Sequence, residues 1–356
     1  MNINLMAPIN QLGYGVAGLN IYKALTKLAN VSLFVMGQPQ VTNEADANIV
    51  RQGIENARFF DPIAPCIKIW HQNQMAERIG SGKFIGFPIF ELDTFTDLEK
   101  HHLMACDELL VCSQWAKDVV LTEVYPTPVG HDLFEDRVHV VPLGVDAEIF
   151  KPAPVKQDDK IIFFNCGKWE VRKGHDILIK AFKKIADKYE NVELWMMCEN
   201  PFNSPEEENR WLQLYNHPKI KLINRVETQE EVYNIMCKID CGVFPSRGEG
   251  WNLELLELMS AGKHVIATDY SAHTQFCNET NCGLIKISDK EPAFDGKWFF
   301  GQGRWAKIDD TAMESLYNNM EKFIQEKLGT INESGIETAK DFSWKNTASE
   351  ILNVIR

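Results

Sequence analysis

Cys241-Gly-Val-Phe-Pro-Ser246-Arg-Gly-Glu249-Gly-Trp-Asn252-Leu-Glu-Leu-Leu-Glu257-Leu-Met-Ser-Ala-Gly262-Lys-His-Val-Ile-Ala-Thr268 reads as strand, turn, helix and strand. Cys241 to Phe244 is short and apolar, and Pro245 to Asn252 is dense in residues that break regular structure. Asn252 is a good N-cap, the apolar run behind it reaches Gly262, a natural C-terminal stop, and the β-branched Val265 to Thr268 follows. Two buried strands joined through a helix make a parallel β-α-β unit, so the chain is α/β. Glu249 falls in the turn, and Glu257 is expected about two turns into the helix.

The turn and the two carboxylates suit a particular ligand chemistry. The first N–H groups of a helix lack internal partners and carry partial positive charge, so Gly248 to Asn252 can receive a phosphate. A carboxylate further along, such as Glu257, can accept hydrogen bonds from two adjacent hydroxyls, the pair that a ribose offers. Taken alone, the spacing is equally that of two solvated glutamates flanking a surface helix.

Two other segments add to it. Phe164-Asn-Cys-Gly167-Lys-Trp-Glu-Val-Arg-Lys-Gly174-His-Asp-Ile-Leu reads as strand, glycine turn, basic loop and helix start. Lys168 and Lys173 bring two ammonium groups to a strand's C-terminal end, where point charges can neutralise phosphate oxygens; Arg172 is a third candidate, though a loop arginine is often solvated. Val138-His-Val-Val-Pro142-Leu-Gly144-Val-Asp146-Ala-Glu-Ile-Phe150-Lys-Pro152 is a buried strand followed by a punctuated connector, and Pro152 to Asp159 is the best linker candidate.

In this order and at these spacings, the three segments resemble the retaining GT-B glycosyltransferases of family 4, the glycosyl transferases group 1. The resemblance rests on P-x-G-V-D-x-x-x-F, the lysine-rich diphosphate loop, and P-S-x-x-E-G-W running into E-x7-E and A-x-G. It is strong from Val138 to about Ile287 and looser before. It implies two doubly wound, Rossmann-like parallel-sheet domains facing a cleft, and transfer of a hexose from a nucleoside diphosphate sugar to an acceptor hydroxyl with retention. Glu249 would then lie near the transferred sugar and Glu257 at the ribose, with Lys168 and Lys173 on the diphosphate and Gly250, Trp251 and Asn252 completing the donor site. The family more often has arginine where this chain has Lys168. No metal and no cofactor beyond a UDP-, GDP- or ADP-sugar is expected.

Composition is consistent with this. At 356 residues and 45% hydrophobic content, two domains of about 150 to 200 residues are expected. They are placed at 1–148 and 149–343, with a last helix, 344–356, returning to the first. No apolar run approaches the roughly 18 residues of a membrane span, and the first residues lack the basic region of a secretory signal, so a cytoplasmic location is expected. The nine cysteines are odd in number and scattered, and they fit free thiols in a reducing compartment better than a disulfide framework or a zinc site. The net charge is −13, and Met1 to Glu148 alone holds 10 Lys and Arg against 18 Asp and Glu. Nucleic acid and anionic membrane both reward basic patches and are not expected partners.

The first half reads as strands near 3–7, 31–36, 67–70, 84–90, 109–112 and 138–141, with a helix near 16–28. Strands near 161–165, 192–197, 220–223, 241–244 and 265–268 follow in the second half. Gly13-Tyr-Gly15-Val-Ala-Gly18 matches the dinucleotide fingerprint G-x-G-x-x-G, and an NAD-dependent oxidoreductase is the rival reading. That reading needs an acidic residue at the end of the second strand, where Met36-Gly37-Gln38 stands. In GT-B relatives the corresponding glycine loop approaches donor phosphates, which gives Gly13 and Gly15 a role. For a sugar contact from this half, Glu91, with Asp93 beside it, lies nearest the family's usual histidine position, and His71 competes. Ser113 begins a helix and is either a cap or a ligand contact. A sugar-nucleotide epimerase and a non-catalytic sugar-nucleotide binder are further alternatives on the same fold.

Overall fold

The computed structural model describes residues 1–356. The chain divides into two units, Met1–Gly144 with Phe342–Arg356, and Val145–Asp341. The first division falls at Gly144/Val145 rather than after Glu148. A side chain at Gly144 would meet the backbone N of Trp344 at 2.2 Å, so the glycine belongs where the returning helix packs. From Phe150 onward the chain is tied to the second unit, with Ser260 Oγ donating to the Phe150 carbonyl at 2.7 Å and Ala153 N to that of Ala261. The expected linker therefore starts as a packed part of the second unit.

The first unit runs β1 (Asn2–Ala7), α1 (Gly13–Thr26), β2 (Asn30–Val35), α2 (Glu44–Asn56), β3 (Cys66–Trp70), β4 (Phe84–Pro88), α3 (Asp97–Met104), β5 (Glu108–Val111), α4 (Gln114–Val124), α5 (Pro128–Phe134) and β6 (Val138–Val140). Its six strands are all parallel, in the order β2-β1-β3-β4-β5-β6. A parallel sheet covered on both faces buries alternate and intervening side chains alike, which is why Cys66-Ile-Lys-Ile and Phe84-Ile-Gly-Phe are buried throughout. Lys68 is the exception in chemistry, fully buried with its ammonium donating to the Gln74 carbonyl at 2.6 Å and to Glu77 Oε2 at 3.2 Å.

The second unit runs β7 (Ile161–Lys168), α6 (His175–Lys188), β8 (Val192–Glu199), α7 (Pro205–Leu214), β9 (Ile220–Leu222), α8 (Gln229–Met236), β10 (Cys241–Phe244), α9 (Leu253–Ser260), β11 (His264–Thr268), β12 (Gly283–Ile285), β13 (Lys290–Phe294), β14 (Phe300–Ala306), α10 (Asp310–Lys322) and α11 (Glu333–Asp341). Its parallel sheet is ordered β12-β11-β10-β7-β8-β9. β7 extends to Lys168, past the expected end at Asn165, because β8 pairs with it along its whole length, up to Lys168 opposite Glu199. The antiparallel β13–β14 hairpin and the edge strand β12 are not anticipated by the sequence reading. Phe-Gly-Gln-Gly-Arg in β14 carries two glycines and no alternation, the composition of a loop. The last helix, α12 (Trp344–Ile355), buries Trp344, Ala348, Ile351, Leu352 and Ile355 along one face and packs on α1. Thr347 Oγ1 fastens it to the Pro142 carbonyl at 2.8 Å.

Strand order locates the sites. In each sheet the chain leaves two neighbouring strands in opposite directions, β1 and β3 in the first and β7 and β10 in the second. The crevice beyond the C-terminal ends of such a pair is where open α/β sheets bind ligands.

Candidate functional site

The loops after β7 and β10 meet at the second unit's switch point. After β7, a tight turn at Val171–Lys173 ends at Gly174, whose φ is +70°. Glycine is required there twice over, since left-handed backbone strains other residues and an added Cβ would lie 2.0 Å from the Pro245 carbonyl oxygen. The turn is thereby pressed against the start of the second loop.

Glu249 is 4% exposed and joins the two loops. Lys173 Nζ donates to its Oε1 at 2.8 Å, Ser246 Oγ to the same oxygen at 2.7 Å, and Arg172 Nη1 to Oε2 at 2.7 Å. Arg172 also donates to the Gly248 carbonyl at 2.7 Å and, through Nη2, to Glu170 Oε2 at 2.8 Å. Lys168 Nζ pairs with Glu170 Oε1 at 3.1 Å and sits over the Phe202 ring at 5.8 Å. The network thus sets three cations, Lys168, Arg172 and Lys173, against two carboxylates. Burial alone would raise both carboxyls. Lys173 and then Arg172 overcome it at Glu249, whose carboxyl is held well below the usual range, and Arg172 and then Lys168 hold Glu170 at about 2. Burial works to lower the Lys173 ammonium, and the facing Glu249 carboxylate outweighs it and raises it.

Arg172 is accordingly not a solvated loop side chain but one of the most buried members of the network. Lys168 is the most accessible cation, at 36% side-chain exposure against 13% for Lys173 and 6% for Arg172. Two residues beyond Lys173, His175 starts a further buried arrangement. That ring meets Tyr215 Oη through Nδ1 at 2.7 Å, and burial followed by the charge of Lys173 lowers its pKa to about 3, leaving it neutral.

α9 starts from Asn252, which adopts left-handed backbone at φ 94°, an uncommon conformation for a residue with a side chain. Its Oδ1 accepts from Leu255 N at 3.2 Å and its Nδ2 faces His273 Nε2 at 3.0 Å. Since His273 Nδ1 faces the Thr268 carbonyl at 3.1 Å, that nitrogen carries the proton and Nε2 accepts from Asn252; burial lowers the ring's pKa and keeps it neutral. Ser271, the other side-chain-bearing residue at positive φ, accepts from Glu249 N at 2.9 Å. Arg247, Ser271 and His273 are missed by the sequence reading, and Ser246 enters it only as the serine of P-S-x-x-E-G-W, without a role. The Trp251 indole is buried against Phe276, 4.9 Å between ring centres, so its side chain serves the core.

Glu257 is the fifth residue of α9, just over one turn in rather than two, because the helix begins only at Leu253. α9 is apolar almost all round and buried, and Glu257 is 8% exposed with no ion pair or hydrogen bond to its carboxyl. Burial, and then Glu254 on the same helix, raise its pKa well above the usual value. Burial, and after it the charges of Glu254 and Glu257, raise the pKa of the Cys166 thiol near the end of β7. The unpartnered carboxyl and the cation network therefore stand around the same strand end.

In the first unit the loops after β1 and β3 hold Gly13 and Gly15, at the start of α1, and His71. Tyr14 Oη lies 2.8 Å from His71 Nδ1 and donates to the Ile89 carbonyl, which joins the ends of β3 and β4 to α1. A Cβ at Gly15 would fall 2.3 Å from Asn10, so this glycine serves loop packing, whereas Gly13 has open space. Glu91 follows the end of β4 and is partly exposed. Of its two expected roles, Ser113 takes that of the cap of α4. Its hydroxyl accepts from Ala116 N at 3.2 Å and the side chain is fully buried, with no surface for a ligand. All nine cysteines are free, and no helix is long and apolar enough to cross a membrane.

Residues 159–295 match the family model Glycosyl transferases group 1, a segment that contains β7 to β12 and every residue of the charged network. An uncharacterized glycosyltransferase of Methanocaldococcus jannaschii is 28% identical over 207 residues, 54% of this chain and 48% of the relative. An MMP alpha-(1->4)-mannosyltransferase of Mycolicibacterium hassiacum is 25% identical over 174 residues, 49% of this chain and 40% of the relative. The chain spans about half the length of the curated relatives it matches. Among solved structures, sucrose-phosphate synthase of Thermosynechococcus elongatus superposes with a TM-score of 0.71 at 14% identity, over 99% of this chain and 98% of that one. Anabaena HepE in complex with UDP-glucose does so with a TM-score of 0.69 at 14% identity and the same coverage. At that identity the likeness speaks for the fold, which is GT-B, with its two Rossmann-like units. Residues 159–295 thus carry the likeness to the glycosyl transferases group 1, within a chain of GT-B fold.

Proposed function

We propose that the protein is a retaining, metal-independent hexosyltransferase of family 4 that uses a nucleoside diphosphate sugar as donor and a hydroxyl as acceptor. The observation that carries the reading is the cation network at the second unit's switch point, set beside a buried glutamate without a partner. Lys168, Lys173 and Arg172 supply the charge for the diphosphate, with the first turn of α9 and its Gly250-Trp-Asn252 approach as the backbone donors. Glu257 accepts from the ribose diol. Glu249 stands at the sugar end, and as its oxygens are engaged by Lys173, Ser246 and Arg172, its main work is to hold those cations in place. From the first unit, Glu91 is our candidate contact for the transferred sugar, with His71 and the Gly13 turn as further candidates.

Chemistry follows from charge development. The bond between the anomeric carbon and the β-phosphate oxygen breaks with its electron pair going to the phosphate, and the cations stabilise that growing charge more than they stabilise the ground state. The acceptor oxygen bonds the anomeric carbon on the same face and its proton passes to the departing phosphate oxygen. No carboxylate need act as a nucleophile, unlike the paired carboxylates of retaining glycosidases. The test is incubation with radiolabelled UDP-, GDP- and ADP-hexoses and a panel of hydroxyl acceptors, with and without EDTA. Transfer that survives chelation with an α-linked product from an α-linked donor supports the reading. Epimerised donor, product of inverted configuration, or loss of transfer restored only by a divalent metal would contradict the corresponding part of it.

A further inference from the structure

Arg247 lies between Ser246 and Glu249 of the β10 loop and is 7% exposed. Its guanidinium does not face the cation network. Nη1 donates to the Val171 carbonyl at 2.6 Å, and the fork closes on Asp176 in the first turn of α6, Nη1 to Oδ1 at 3.1 Å and Nη2 to Oδ2 at 3.2 Å. Nε reaches Glu291 Oε1 on β13 at 3.4 Å. Its backbone is engaged as well: Arg247 N donates to the Arg172 carbonyl at 2.6 Å, and Ala306 N of β14 donates to the Arg247 carbonyl at 2.7 Å. One residue therefore grips two consecutive carbonyls of the turn that carries Arg172 and Lys173, and is itself braced from α6 and from both strands of the hairpin.

The turn's other backbone bonds are internal, Lys173 N to the Glu170 carbonyl and Gly174 N to that of Val171. Internal bonds give the turn its shape but not its place. Glu249 holds the charged ends of Arg172 and Lys173, and Arg247 holds the backbone from which they project. The Arg247 guanidinium is turned to Asp176, Glu291 and the Val171 carbonyl, so its part is to brace the turn and not to bind phosphate. A planar fork suits this task and an ammonium does not, because Nε, Nη1 and Nη2 reach Glu291, the Val171 carbonyl and Asp176 from three separate atoms, whereas the three donors of an ammonium radiate from one.

We propose that Arg247 is a positioning residue for the diphosphate-binding turn, setting where Lys173 and Arg172 stand; this rests on the nucleotide-site reading above. The test is a double-mutant cycle by calorimetry with UDP, GDP and ADP on the parent, Arg247→Lys, Lys173→Ala and the double variant. Arg247→Lys should weaken the nucleotide the parent prefers by about tenfold, and should add little once Lys173 is gone. A role confined to general stability would cost the same factor in both backgrounds, and that additive result, or unchanged affinity in Arg247→Lys, would overturn the inference alone. A parent that binds none of the three nucleotides would overturn the nucleotide-site reading and this inference with it. Should Arg247→Lys fail to fold, Asp176→Asn, which opens the fork from its more exposed side, takes its place in the cycle with the same expectation.

Discussion

Glu257 is buried in α9 with nothing to offset the cost of its charge, while Glu249, eight positions earlier, has three donors. The two glutamates should respond oppositely to pH and to neutralisation. Folding raises the Glu257 pKa, so the native state holds that proton more tightly than the unfolded chain. Its stabilising contribution is complete below the usual glutamate range and is lost as pH climbs through the raised value. Glu257→Gln should therefore melt higher than the ligand-free parent, the gap widening from about pH 5 to pH 8 in paired thermal melts; a gap that narrows over that range contradicts the assignment. The Glu249 carboxyl is depressed instead, so its contribution is present at neutral pH and lost as pH falls below the ordinary carboxylate range. Glu249→Gln leaves Arg172 and Lys173 undercompensated and should cost about 3 to 5 kcal/mol at neutral pH in denaturant titrations. A cost below roughly 1 kcal/mol would mean that the network is no more than a surface ion pair. The carboxylate spacing was legible in the sequence, but the partners were not. Arg172 lies far upstream, and Ser271 and His273 follow a different strand, so only the fold brings them to Glu249 and Asn252.

At the scale of elements, most strands stand within a few residues of their sequence reading because strands buried on both faces in a parallel sheet are nearly uninterrupted apolar runs. Where the reading missed, the reason is local. β12 and the β13–β14 hairpin sit at an edge or outside the main sheet, where an exposed face removes the apolar signal, and Phe294, Trp298 and Phe300 of the hairpin are exposed. The start of α9 was legible through Asn252 and its end through Gly262, whose φ is +72°. The most exacting element is the turn closed by Gly174. Gly174→Ala places a Cβ against the Pro245 carbonyl and forces a left-handed alanine, and should cost about 2 kcal/mol or more. Because the displaced turn carries Lys173, nucleotide affinity should fall as well. Melting curves and nucleotide titrations on this variant check both, and normal affinity in a destabilised protein would separate the turn from the binding site.

At the scale of the whole molecule, the charged network, its Arg247 brace and Glu257 all lie within Val145–Asp341. That unit has its own core from Phe163, Leu178, Phe182, Leu194, Val243 and Ile266. Residues 145–341 expressed alone should fold cooperatively and retain nucleotide binding without transfer; a segment that folds but has lost nucleotide affinity would show that the first unit supplies part of the nucleotide site. The central claim is that Glu257 binds the ribose of a nucleoside diphosphate held by Lys173. Calorimetric titration of UDP, GDP and ADP into the parent and Glu257→Gln tests it most directly. One nucleotide should bind the parent, and the variant, whose amide cannot ionise to accept from both ribose hydroxyls, should bind it about tenfold more weakly; a variant that binds as tightly as the parent would contradict the account.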